Sequence, residues 1–176
     1  MRLSERGYTL VELAIAITIM ALVSIAASAA IFQVFNNIEH NNDRLTAVLQ
    51  VQYAGSWISR DAQMASSVIA DNLTMPDFLI IDWNEWDAAG DPIYHSATYF
   101  FEDLTDGIGK LVRNHWSSVG ASEQTLIAEY IYYDPSYVDD TSKASYDSPV
   151  LTVQLTAHFE ETRETREYKI KHRPNL

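Results

Sequence analysis

The side chains able to do chemistry in this 176-residue chain are scattered rather than grouped. Its histidines, His40, His95, His115, His158 and His172, show no HExxH spacing, no serine sits in a GxSxG elbow, and no glycine-rich phosphate loop accompanies them. The absence of cysteine excludes disulfides, thiolate zinc sites, iron-sulfur clusters and a cysteine nucleophile together. No catalytic residue is therefore assigned, and the chain is not expected to be an enzyme. Two acid-rich stretches, Asp82, Asn84, Glu85, Asp87 and Asp91 in one and Asp134, Asp139 and Asp140 in the other, admit a calcium reading. Neither matches an EF-hand loop, so solvated acidic turns are the plain alternative and no metal or other cofactor is expected. Trp83, Trp86, Tyr94, Tyr99 and Trp116 would form either a sugar- or protein-binding platform or the aromatic core of a sheet. Asn72-Leu73-Thr74 fits a glycosylation sequon of low specificity. The ionisable residue in the least ordinary place is Glu12, at the very start of an uncharged apolar run.

That run, Leu13 to Phe32, has only Thr18, Ser24 and Ser28 as polar members and, as a helix, would span roughly 30 Å, the thickness of a bilayer core. Its apolar residues lie on all sides, so the helix needs an apolar surround on every face. Arg2 and Arg6 before it, and Ala27-Ser28-Ala29 near its end, invite a secretory signal-peptide reading. Against that stand the length of the run and the carboxylate at its border. The arginines place the N-terminus in the cytoplasm and the rest of the chain outside it.

The residues around Glu12 carry a specific resemblance. Gly7-Tyr8-Thr9-Leu10-Val11-Glu12, after a short charged leader and before an unbroken apolar helix, resembles the class III prepilin signal of type IV pilins and type II secretion pseudopilins. The resemblance implies that a prepilin peptidase cuts after Gly7 and methylates the new N-terminus at Tyr8. It also implies that Glu12, fifth after the cut, guides assembly with other pilin or pseudopilin subunits through the N-terminal helix. Tyr8 stands where phenylalanine is commonest in the family, which keeps the aromatic ring. The chemistry is sensible in itself: a new amine on Tyr8 and the carboxylate of Glu12 are each poor guests in lipid, and an axially shifted neighbour would pair them. Ala14, Ala16, Ala21, Ser24, Ala27 and Ser28 would allow close helix approach, although small residues are common in membrane spans.

Nothing between Tyr8 and Met64 breaks a helix except Gly55, and the first proline is Pro76. A helix from about Tyr8 to about Ala70, roughly 95 Å at 1.5 Å per residue, is expected. Past the membrane segment Ile38, Leu45, Val48, Leu49, Ile58, Ala62, Ala65 and Ile69 are expected to form its buried stripe, with Gln52 and Gly55 as weak members. Gly55 would mark a bend or a close packing point, and the polar cluster Asn36 to Asn42 a second bend. Beyond Pro76 short alternating runs predict strands at 78–83, 93–101, 110–113, 125–133, 150–159 and 167–172, with 160–166 as a charged hairpin connection. A helix followed by antiparallel strands reads as α+β. The expected organisation is a leader at 1–7, a membrane and filament-core half-helix at 8–35, an amphipathic half at 36–75 and an extracytoplasmic β-rich region at 76–176.

The net charge of -12 sits almost wholly in residues 60–150, which opposes direct nucleic-acid contact. Arg60-Asp61 is similar to a pattern in J-type minor pseudopilins, its plain alternative being a surface pair. The lack of cysteine and the size of the C-terminal region favour a minor subunit that primes or caps a filament. A major pilin, a membrane-anchored extracytoplasmic binding domain and a secreted hydrolase with a cleaved leader stand as rivals.

Overall fold

The computed structural model describes residues 9–71, 73–137 and 139–171. Among the described residues one helix, α1 (Leu10–Met64), is followed by eight strands: β1 (Ser67–Ile69), β2 (Asp77–Trp86), β3 (Pro92–Thr105), β4 (Ile108–Ser117), β5 (Glu123–Tyr132), β6 (Lys143–Asp147), β7 (Val150–Phe159) and β8 (Thr162–Lys171). The architecture is α+β, a long N-terminal helix with an antiparallel sheet packed on its C-terminal part. By its contacts the chain divides into two units at Asn42/Asp43.

In the first unit every residue from Thr9 to Asn42 is exposed, including Leu13, Ile17, Met20, Val23 and Phe32. The segment is long and apolar enough to cross a membrane. Its polar Thr18 donates to the Ala14 carbonyl at 2.8 Å, so this hydroxyl asks nothing of the surroundings.

The second unit holds the core. Strands β1 to β5 form an antiparallel meander; β7 pairs along one edge with β8 over its whole length and along the other with β5 at Ala157 and with β6 at Val150–Gln154. The inner face presents Leu79, Ile81, Ala97, Tyr99, Leu111, Leu151, Val153 and Leu155 to Ala47, Val51, Ala54, Ile58 and Ala62 of α1. A bulge in β5 opposite Gly109 and Leu111 frees a backbone N–H, and Glu129 N donates instead to Gln50 Oε1 of α1 at 2.7 Å. Tyr130, with φ 58°, is the left-handed residue of this bulge and packs its ring on Phe159 at 4.7 Å between centroids. The helix is thus registered on the sheet by a hydrogen bond as well as by packing.

Several expectations need correction. The helix ends at Met64, not near Ala70 within the 36–75 segment, because Ser67–Ile69 pairs with Asp82–Ile80 as an edge strand. The β-branched pair Val68-Ile69 suits that pleated position better than another helical turn. The buried stripe is Ala47, Val51, Ala54, Gly55, Ile58, Asp61 and Ala62. Ile38, Leu45 and Leu49 are about half exposed, Gln52 is exposed, Ile69 faces outward on β1, and only Gly55, Ile58, Ala62 and Ala65 of the expected stripe are buried. At about 100° per residue, Leu45 and Leu49 lie nearly opposite the face that meets the sheet. Small residues at 47, 54, 55 and 62 let backbone approach sheet, so the largest apolar side chains mark the wrong side. Neither candidate bend interrupts the helix, and Gly55 is a packing point: a Cβ there would stand 2.2 Å from the Tyr168 ring.

The strands at 78–83, 93–101, 110–113, 125–133 and 150–159 fall in β2, β3, β4, β5 and β7. The 160–166 connection is shorter than expected, because β8 begins at Thr162 and only Glu160-Glu161 turn, with Glu160 at φ 51°. β1 and β6 have no counterpart among the expected strands.

Candidate functional site

The N-terminus of α1 is closed by its own side chains. Thr9 Oγ1 accepts from Glu12 N at 3.3 Å, while Glu12 Oε2 accepts from Thr9 N at 2.8 Å and from Thr9 Oγ1 at 2.9 Å. This reciprocal Thr-x-x-Glu arrangement satisfies donors that the first turn leaves free, and it places a carboxylate at the positive end of the helix dipole. Glu12 is exposed and has no cation beside it among the described residues, and the uncharged apolar helix begins immediately after it. Gly7 and Tyr8 lie outside the described residues. The capping pattern is readable as Thr9-Leu10-Val11-Glu12, a local signal that attention to charge alone passes over.

Residues 2–28 match a family model described as the prokaryotic N-terminal methylation motif. The motif supports a type IV pilin-like protein. No curated protein and no solved structure matches the chain. In a pilin-like chain the motif implies processing by a prepilin peptidase, and together with the apolar helix it supports a single-pass, membrane-anchored protein that assembles with other pilins. It points to a structural subunit rather than an enzyme.

Within the second unit, a buried polar cluster lies where the sheet meets the last turns of α1. Asp61 is 1% exposed and receives Arg113 Nε at 2.6 Å on Oδ2, Arg113 Nη2 at 3.1 Å on Oδ1, and the Tyr99 hydroxyl at 2.7 Å on Oδ2. Burial, and then the charge of Asp61, push the Tyr99 hydroxyl far above the ordinary tyrosine value, so it remains a donor. For Arg113, burial works against the charge, and the hydrogen bond and charge of Asp61 outweigh it and raise the pKa. Arg113 also lies 5.2 Å from the Trp57 ring centroid. Arg60-Asp61 is therefore not a surface pair: Arg60 is exposed over Trp57 at 6.0 Å, and Asp61 turns inward. Sequence gives Asp61 no partner, because Arg113 lies 52 positions away and only the packing of α1 on the sheet brings it in.

Next to this cluster Trp83 lies parallel to His95 and His115, with centroids 5.1 and 5.4 Å away, and His95 Nδ1 meets His115 Nε2 at 3.1 Å. Burial first, then Arg113 and His95, lower the His115 pKa. His40 is exposed on α1, His158 packs against Tyr132 at 6.2 Å, and His172 lies outside the described residues, as does Asn72 of the sequon.

The acid-rich stretches do not converge. Asp82 and Asn84 face one side of β2 and Glu85 the other, while Asp87 Oδ1 accepts from Ala89 N and Asp91 N, both at 2.8 Å, and so caps its own turn. Asp134 similarly accepts from Ser136 N at 2.8 Å, and Asp140 pairs with Arg163 at 3.3 Å. Among the described residues no group of three or more His, Asp or Glu is placed to hold a metal ion. The aromatic platform divides: Trp83 and Tyr99 are buried on the inner face, whereas Trp86, Tyr94 and Trp116 are exposed.

Proposed function

We propose that the chain is the precursor of a minor pilin or pseudopilin that joins a type IV pilus-like or type II secretion filament and primes or caps its assembly. A prepilin peptidase cuts after Gly7 and methylates Tyr8, Glu12 takes up the amine of a neighbouring subunit, and the C-terminal region ends outside the cytoplasm. The observation that carries this reading is the methylation motif continuous with an apolar helical segment in which every residue from Thr9 to Asn42 is exposed within the chain. Such a surface needs lipid before assembly and neighbouring helices after it. A minor role is supported by the absence of cysteine and by the eight-stranded region, which buries its own core without a disulfide. Arg60 and Asp61, late in the helix, support the J-type subclass, with Asp61 serving as the helix-to-sheet anchor.

Mass spectrometry of the chain purified from its host membrane tests the processing. A chain beginning at N-methylated Tyr8 is expected; an intact Met1 or a cut near Ala30 would overturn the reading. In purified filaments a minor subunit is expected at a small fraction of the main subunit, and a stoichiometry near that of the main subunit would make it a major pilin.

A further inference from the structure

A cavity of about 260 Å³ opens between the last turns of α1 and strands β2 to β4, walled by Trp57 and Arg60 from the helix and by Trp83, Glu85, His95 and His115 from the sheet. Its floor is the Asp61–Arg113 pair, whose charges are spent on each other. We propose that this cavity binds a small monocarboxylate with a flat apolar body, the carboxylate toward Arg60 and His95 and the body against the indoles.

The charges favour an anion of low valence. Arg60 forms no ion pair among the described residues and is held only at 6.0 Å from the Trp57 ring, so its guanidinium donors are open at the cavity wall. His95 Nε2 is buried without a hydrogen bond among the described residues, 3.7 Å from Glu85 Oε2. The Glu85 carboxylate beside Nε2 favours the tautomer in which His115 Nε2–H donates to His95 Nδ1, which leaves His95 Nε2–H as one donor to give. Glu85, 57% exposed, occupies that direction loosely while its Oε1 accepts from Trp83 Nε1 at 3.3 Å. A ligand carboxylate that displaces it gains the His95 N–H and the Arg60 fork together. The net charge of -12 weighs against multivalent anions, and Met64 and the half-buried Trp57, with the small part of Trp83 that His95 and His115 leave uncovered, give apolar wall for a ring.

Calorimetric titration of the full chain in detergent micelles with phenylacetate, and with uncharged 2-phenylethanol of similar shape, tests the site. Saturable phenylacetate binding is expected, at least tenfold tighter than that of the alcohol. Arg60→Gln should weaken it at least fivefold and Glu85→Gln should strengthen it, opposite shifts that a general loss of folding or partition into micelles would not produce. Equal binding of acid and alcohol, no saturable heat from either, or no effect of Arg60→Gln in a variant that melts like the parent would overturn the proposal.

Discussion

The ring of Tyr168 on β8 occupies the space that a side chain at Gly55 on α1 would need. Its hydroxyl donates to the Val51 carbonyl one turn earlier, at 2.9 Å, so the edge strand is latched to the helix by shape and by a hydrogen bond. Gly55→Ala gains about 1 kcal/mol of helix propensity but forces the ring aside, a change whose overpacking cost is about 1–3 kcal/mol. A net loss of stability is expected in denaturant unfolding. Gly55→Ala combined with Tyr168→Ala should show less than the sum of the two losses, since the clash is gone; strict additivity would mean that the ring does not set the helix–sheet distance.

Removal of one partner from the Asp61–Arg113 pair should be far more damaging than removal of both. Asp61→Ala leaves a buried guanidinium without its carboxylate, a defect of about 3–5 kcal/mol, whereas Asp61→Leu with Arg113→Met replaces the pair by apolar volume. Tyr99→Phe should cost about 1.5–3 kcal/mol, the ordinary loss of one hydrogen bond to a charged acceptor. Thermal unfolding of the four chains gives the order directly, and a double variant no better than Asp61→Ala would sink this account.

These two contacts also show what the sequence made legible. The N-terminal helix, the strand β7 and the α+β class follow from local pattern: an unbroken apolar run in one case and strict alternation in the other. The methylation motif is contiguous and could be read whole. Apolar spacing points to the wrong helix face because Ala47, Ala54, Gly55 and Ala62 bury little apolar area each, yet their smallness is what brings helix and sheet together. β8 is longer than its alternation suggests because an edge strand carries charges on both faces, as Arg163, Glu164, Arg166 and Glu167 do here. Tyr99 and Arg113, like His95 and His115, are distant in sequence and become neighbours through strand register, and Asp61 meets them only through the packing of α1 on the sheet, neither of which periodicity contains.

The histidine pair predicts a pH dependence. The folded-state pKa of His115 lies below its unfolded value near 6.5, by burial first and then by Arg113 and His95, against the opposing charges of Asp61 and Glu123. The unfolded chain therefore takes up more protons in the window between the two values, and stability present above about pH 6.5 is lost as pH falls through the folded pKa. Glu85 and Trp83 complete the surroundings of the pair. Denaturation midpoints between pH 5 and 7.5 should fall on the acid side, and His115→Gln should flatten that fall; an unchanged slope in the variant would assign the dependence elsewhere.

Glu12 offers the sharpest separation of helix capping from charge pairing. Its carboxylate closes a reciprocal cap with Thr9, and glutamine can make the same cap because an amide oxygen also accepts from the Thr9 amide. A role confined to starting the helix would leave Glu12→Gln near normal and make Glu12→Ala defective. A role in taking up the amine of a neighbouring subunit needs the negative charge, so both substitutions should fail to enter filaments while still inserting in the membrane and still losing residues 1–7. Thr9→Ala removes the hydroxyl contacts and keeps the charge; it should cost about 1 kcal/mol at the helix start and only mildly reduce incorporation. Membrane fractionation, N-terminal mass and the subunit content of sheared filaments read the three outcomes separately. Normal incorporation of Glu12→Gln would leave Glu12 as a capping residue alone and remove the paired charge from the assembly mechanism.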